Sequence, residues 1–330
     1  MKANLFVGII TSPFFYFILV IGCFSDAPRD NPLDNQTNTH SYSFGGRVQT
    51  YYPHQPNSVL SGAQITLNPE NRVAFSDSQG NYGFQGLTPG TYQIICQKSG
   101  FLSDTAEVEV PRQNSHDFSL DGLPYFEVIK IASFHISRWF PPDDLYFLTF
   151  EVTGNDTDGV EELKTATFQI SFPELRDTLQ EESAAGKFTY QLFPDEYGLS
   201  SLHQLIGREI YFVLEDEFGA RVRSSAQYLS RIIEDVPVII APVQRVAVNP
   251  PFQFQWEPVF LPFDFNLKIE IYRFVSGISI KVAEIPGIAG TETAHTYSNF
   301  LSPGEYYWTL YIVDEFGNHS RSKEGAFVVP

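Results

Sequence analysis

VLEDEFGARVRSS (213–225) and IVDEFGNHSRSKE (312–324) write one nine-residue pattern twice: D-E-F-G, three variable residues, then Arg-Ser. The two aspartates, Asp216 and Asp314, stand 98 positions apart. Each copy closes an alternating apolar run, REIYFVLE or YYWTLYIV, and leads into a second, polar run. That is the grammar of a β-hairpin: the Asp side chain caps the turn and Gly takes the left-handed backbone position. The repeat predicts a structural turn, and a spacing of 98 residues is about one β-sandwich length.

The composition agrees. Aromatic residues make up 15% of the 330, with 30 Phe and 17 Tyr, while Met occurs once. Together with 23 Gly and 22 Pro this favours strands and turns over helices. The net charge of −18 argues against nucleic acid as a partner, because an acidic surface repels phosphate. The expected fold class is all-β: three β-sandwich domains in series.

The N-terminus predicts the address. Lys2 precedes an uncharged stretch from Leu5 to Gly22 and then Val20-Ile21-Gly22-Cys23, the shape of a secretory signal. It resembles the lipobox of bacterial lipoproteins. That resemblance implies cleavage of residues 1–22, lipidation of Cys23, and tethering to a bacterial membrane, with the outer membrane or cell surface expected. Removing residues 1–22 takes away Lys2 and no acid, leaving 20 bases against 39 acids and a charge of −19. The alternative is an uncleaved membrane anchor, against which Pro13 and the Gly-Cys ending weigh. Residues 23–42 read as a polar spacer. The other cysteine, Cys96, lies in phase with Tyr92 and Ile94 and reads as a core residue, so no disulfide framework is expected.

Residues 43–122 contain seven short alternating runs divided by Gly, Pro, Asn and Asp. Gly46-x-Val48, Gly62-Ala63-x-Ile65-x-Leu67, Ser76-Asp77-x-x-Gly80-x-Tyr82-x-Phe84 and Leu87-x-Pro89-Gly90-x-Tyr92 follow in order. This series resembles the carboxypeptidase regulatory-like domain, which implies a transthyretin-like sandwich and an accessory role. No His-x-x-Glu pair or His-Glu-x-x-His accompanies it, so peptidase chemistry is not expected. Residues 123–235 resemble extracellular bacterial immunoglobulin-like domains through FEVTGNDTDGVEELKTATFQI. Residues 236–330 resemble a fibronectin type III domain through Phe252-x-Phe254-x-Trp256-x-Pro258 and Leu301-x-Pro303-Gly304-x-Tyr306. Period two puts Tyr306, Trp308, Leu310 and Ile312 on one buried face and Tyr307, Thr309 and Tyr311 on the other.

D-E-F-G differs from the magnesium-binding Asp-Phe-Gly of kinases: Glu217 and Glu315 interrupt the triplet, and no Gly-rich phosphate loop or His-Arg-Asp loop exists. GNDTDGVEEL (154–163) fails the EF-hand pattern at both ends and reads as a surface turn, with a weak, non-EF calcium site at Asp156, Asp158 and Glu161 as the alternative. No catalytic residues are expected, and no cofactor. Three loops are aromatic: TYYPHQPN from Thr50, SRWFPPDDLYF from Ser137 and PVFLPFDF from Pro258. Such rings pack junctions or contact a partner, and Trp139 with Phe140 is the first candidate for ligand binding. The expected role is a non-enzymatic binding, adhesion or scaffold module in the cell envelope. The alternative is a glycan-binding accessory lipoprotein. The partners expected are the membrane, through the lipid, and an envelope protein or a glycan.

Overall fold

The computed structural model describes residues 41–52 and 58–330. Cys23, the signal and most of the spacer lie outside the described residues. Those described are all-β, with three short 3-10 turns. Among them no helix is long and apolar enough to cross a membrane. They divide into two compact units.

The first unit covers 41–49, 58–98 and 103–119. Its strands are β1 (Tyr42–Thr50), β2 (Gln64–Asn68), β3 (Arg72–Phe75), β4 (Asn81–Leu87), β5 (Gly90–Gln97), β6 (Asp104–Val110) and β7 (Phe118–Leu120). One sheet has the order β4-β1-β7 and the other β3-β2-β5-β6. Alternation drives the burial: Tyr82, Phe84 and Leu87 on β4 and Tyr92, Ile94 and Cys96 on β5 all turn inward. Ile65 stands opposite Cys96 and Leu67 opposite Ile94. Each such side chain contributes roughly 1.5–3 kcal/mol by leaving water. Burial pushes the Cys96 thiol up to about 11, so it is an inert core group.

The second unit covers 50–52, 99–102 and 120–330 of the described residues. Its first strands are β8 (Pro124–Ile136), β9 (Leu145–Asp156), β10 (Leu163–Ser171), β11 (Glu174–Thr178), β12 (Gln180–Glu181), β13 (Lys187–Leu192), β14 (Ile210–Asp216) and β15 (Arg221–Arg223). There follow β16 (Ile239–Ala241), β17 (Val246–Ala247), β18 (Phe252–Trp256), β19 (Phe265–Val275), β20 (Ile278–Ala289), β21 (Ala294–Tyr297), β22 (Gly304–Asp314), β23 (His319–Arg321) and β24 (Gly325–Val329). One core gathers Phe150, Phe168, Phe188 and Phe212 with their aliphatic neighbours. A second gathers Phe254, Trp256, Leu267, Trp308, Leu310 and Phe327. The cores are separate, yet β8 pairs in parallel with β23, so strands from both sides of residue 236 share one ten-stranded sheet.

Tyr306, Trp308, Leu310 and Ile312 are buried, and the indole N–H of Trp308 donates to the Pro242 carbonyl at 2.8 Å. Of the residues on the opposite face, Thr309 and Tyr311 are also buried. That face carries a polar array rather than open solvent. Glu270 accepts from Lys268 at 3.0 Å and from the Tyr272 hydroxyl at 2.6 Å. Burial alone would raise the Glu270 pKa; the hydrogen bonds from Tyr272 and Lys268, and the Lys268 charge, outweigh it and hold it at about 2.

Both D-E-F-G segments are hairpin turns of one design. In the first, the Asp216 Oδ1 accepts the N–H groups of Phe218 (2.9 Å) and Ala220 (2.8 Å). In the second, the Asp314 Oδ1 accepts those of Phe316 and Asn318, each at 2.9 Å. Gly219 and Gly317 have φ of 92° and 84°, the left-handed region that a side chain disfavours. The trailing serines match too: Ser224 accepts the Phe212 N–H and Ser322 the Leu310 N–H. Asp77 makes a third turn of the same kind, its Oδ1 accepting from Gln79 and Asn81, with Gly80 at φ 79°.

Candidate functional site

The chemistry of greatest interest lies where β9 passes into β10. β9 ends at Asp156; Thr157, Asp158 and Gly159 follow; a 3-10 turn spans Val160–Glu162; and β10 begins at Leu163. Along β9 the residues Leu148, Phe150, Val152, Gly154 and Asp156 turn to one buried face, so the strand's alternation carries Asp156 inward with the core. β14 does the same with Ile210, Phe212, Leu214 and Asp216. Asp121, in the segment just before β8, completes the group.

Oxygens of Asp121, Asp158 and Glu162 lie within 4.8 Å of one another. Asp158 is held by the Gly122 N–H, which donates to its Oδ2 at 2.9 Å. Gly122 is required there: a Cβ on it would stand 2.2 Å from the Asp158 Oδ1 and 2.6 Å from the Asp156 Oδ1. Glu162 is only 1% exposed and Asp156 5%. Asp121 Oδ1, Asp156 Oδ2, Asp158 Oδ1, Asp216 Oδ2 and both Glu162 oxygens are buried without a hydrogen-bond partner. Burial, then the charges of Asp158, Asp156 and Asp121, push Glu162 up to about 8. Burial, then Asp216 and Asp158, push Asp121 up to about 6. Burial and the adjoining Asp158 hold Asp156 well above the usual carboxylate range. Like charges crowded in a low-dielectric place resist ionising together.

Of the three carboxylates singled out in the sequence, Asp156 and Asp158 come together here. Glu161 does not join them: its Oε1 accepts the Tyr52 hydroxyl at 2.5 Å. Its neighbour Glu162 points inward instead. Asp121, Glu162 and Asp216 were missed. The alternation of β14 carried a signal for Asp216, since period two from Ile210 predicts a buried acid at 216.

Trp139 and Phe140 sit on the connection between β8 and β9. The Trp139 ring is 66% exposed, with its N–H donating to the Glu324 carbonyl at 2.9 Å and the Lys323 ammonium 4.5 Å above it. Phe140 is 87% exposed. Trp139 borders a groove of about 350 Å³ that Ser137, Val236, Pro237, Val238 and Ile239 also line.

Ser137 and Asp144, on the same connection, meet His135 from the end of β8. His135 Nε2 lies 3.0 Å from the Asp144 Oδ2, and the Ser137 hydroxyl donates to the Asp144 Oδ1 at 3.0 Å. A nucleophilic triad needs the serine on the imidazole. Here the carboxylate stands between the two, and the other imidazole nitrogen faces the Ile233 carbonyl at 3.2 Å. Burial would raise the Asp144 pKa, but the bonds from His135 and Ser137 prevail and lower it. The cluster is a brace for the connection.

Among known families, the carboxypeptidase regulatory-like domain matches residues 47–121, in agreement with the motif order in that segment. No curated protein matches the chain. Among solved structures, BcpA, the major pilin subunit of Bacillus cereus, is similar at 10% identity and a TM-score of 0.30, over 88% of this chain and 95% of that one. The FN1-FN3 domains of chicken CNTN1 are similar at 11% identity and a TM-score of 0.29, over 83% and 92%. A putative carbohydrate binding protein from Bacteroides uniformis matches at 10% identity and a TM-score of 0.24, over 58% and 99%. At these similarities the function rests on this chain's own residues.

Proposed function

We propose that this is a non-enzymatic, lipid-anchored exported protein that acts as a binding, adhesion or scaffold module in the cell envelope. The observation that carries the reading is the largely apolar groove lined by Trp139, Val236, Pro237, Val238 and Ile239, with the exposed Phe140 following Trp139 in the chain. The Phe140 ring, 87% exposed, gains little by folding in that position. An exposed apolar groove on a β-scaffold is the kind of surface a contact site uses. The bracing geometry of Ser137, Asp144 and His135 supports a non-catalytic role for the same connection. The lipid anchor rests on Val20-Ile21-Gly22-Cys23.

The test is crosslinking and pull-down from intact cells. Stoichiometric capture of one protein by the wild type, lost in a Phe140→Ser/Val238→Ser double variant, supports the reading. Equal capture by both chains overturns it. The glycan reading draws on the Trp139 ring at the groove's edge. It requires retention on a polysaccharide gel that Trp139→Ala abolishes.

A further inference from the structure

We propose that Asp121, Asp158 and Glu162 hold a calcium ion, with Asp156 and Asp216 flanking it. This chain gives its other buried acids polar or charged partners. Asp314 is buried and meets the Arg231 guanidinium at 3.1 Å and the Asn318 amide at 2.9 Å. Glu270 is buried and meets Lys268 and Tyr272. Buried charge is thus neutralised wherever it occurs in those two places, as its desolvation cost demands.

The cluster around Glu162 breaks that rule. Among the described residues six buried oxygens from five carboxylates have no donor, and Glu162, almost wholly buried, has a partner for neither oxygen. These groups come from three separate places in the chain: the segment before β8, the β9–β10 connection and the end of β14. A fold that converges acids from remote segments and, among the described residues, supplies no cationic side chain leaves the counter-charge to a ligand.

The donor set selects the ligand's class. Among the described residues all donors are carboxylate oxygens, with no His nitrogen or Cys sulfur, which suits a hard cation rather than zinc. Oxygens within 4.8 Å of one another can surround a point at calcium's usual oxygen distance of about 2.3–2.6 Å. Magnesium prefers to keep several waters and a near-ideal octahedron. A buried, many-carboxylate site on an irregular connection favours calcium. The rival occupant is the proton, since crowded acids can also be neutralised by remaining protonated.

The test uses the full chain, stripped with EDTA and titrated with calcium chloride or magnesium chloride by isothermal calorimetry, with thermal unfolding in parallel. The expected result is saturable calcium binding and a rise in Tm, with magnesium about tenfold weaker or more. Asp121→Asn, at a partly buried residue, and Glu162→Gln should each weaken calcium binding about tenfold or more. Glu161→Gln should bind as the wild type does. The proposal is overturned if the wild type shows neither heat nor a Tm rise at about 10 mM calcium. It is overturned equally if both ligand variants bind calcium as tightly as the wild type.

Discussion

Asp216 and Asp314 do the same thing with one carboxylate oxygen and opposite things with the other. Each Oδ1 accepts two backbone N–H groups of its own turn. The Asp314 Oδ2 is met by Arg231 and by Asn318, whereas the Asp216 Oδ2 is buried with no partner beside other carboxylates. One turn design therefore serves two electrical surroundings.

The same substitution at the two positions should consequently differ in sign. In EDTA, Asp216→Asn should be neutral or stabilising, because it removes an unpaired buried charge and keeps the Oδ1 cap. Asp314→Asn should cost about 2 kcal/mol or more, because its amide would face the Arg231 and Asn318 donors. Urea denaturation of both variants measures this. Equal costs would show that the turn, and not the charge environment, sets the energy.

The serine that ends each repeat has a defined task. Ser322 accepts the buried Leu310 N–H and donates to the Lys323 carbonyl; Ser224 accepts the Phe212 N–H and donates to the Ser225 carbonyl. Ser322→Ala would orphan a buried N–H and should cost about 1–3 kcal/mol. Ser322→Thr, which keeps the hydroxyl, should recover part of that loss. A Ser322→Ala chain with unchanged denaturation midpoint would contradict the assignment.

Much of this was legible because β-structure has a short period. The D-x-x-G turns, the inward phase of Cys96 and the buried face from Tyr306 to Ile312 all follow from alternation and turn chemistry within a few residues. The acidic cluster was half legible. Asp156 and Asp158 are neighbours in sequence, but Asp121 is brought beside them by topology. Period two also fails within a 3-10 turn, so it could not tell that Glu162 turns inward and Glu161 meets Tyr52. The polar face of β22 was read correctly as a face, yet its burial depends on remote residues such as Lys268 and Glu270.

The two Leu-x-Pro-Gly-x-Tyr segments also share a purpose. The Tyr92 hydroxyl donates to the Thr88 carbonyl at 2.9 Å and the Tyr306 hydroxyl to the Ser302 carbonyl at 2.6 Å, each reaching back four residues. This is the arrangement of a tyrosine corner, in which the ring enters the core and its hydroxyl ties down the preceding turn. Tyr306→Phe should lower stability by about 1 kcal/mol while leaving the core volume intact. Tyr92→Phe should do likewise in the first unit. Calorimetry on each variant checks the pair, and a stability equal to that of the wild type would remove the corner from the account.

The membrane address can be tested apart from the fold. Metabolic labelling with a fatty-acid probe should mark the wild type and leave Cys23→Ser unlabelled. Undiminished labelling of the variant would place the lipid elsewhere.

Glu270 supplies a pH dependence with a definite sign. Its carboxyl falls from an ordinary value of 4.5 to about 2 in the folded chain. A group whose pKa is lowered on folding contributes stability above its unfolded value and loses it as pH falls through the folded value. The window is therefore pH 4.5 down to about 2, and a shift of this size on so buried a group corresponds to about 3 kcal/mol. Glu270→Gln should be less stable than the wild type at pH 7 by an amount of that order, and the gap should close across this window. Because the difference between two chains is read, titration of the other acids largely cancels. Guanidinium denaturation at pH 7, 4.5, 3 and 2 gives the curve. A gap that stays constant with pH would mean that the Tyr272 and Lys268 hydrogen bonds stabilise this face without the charge, and that the ion pair contributes nothing.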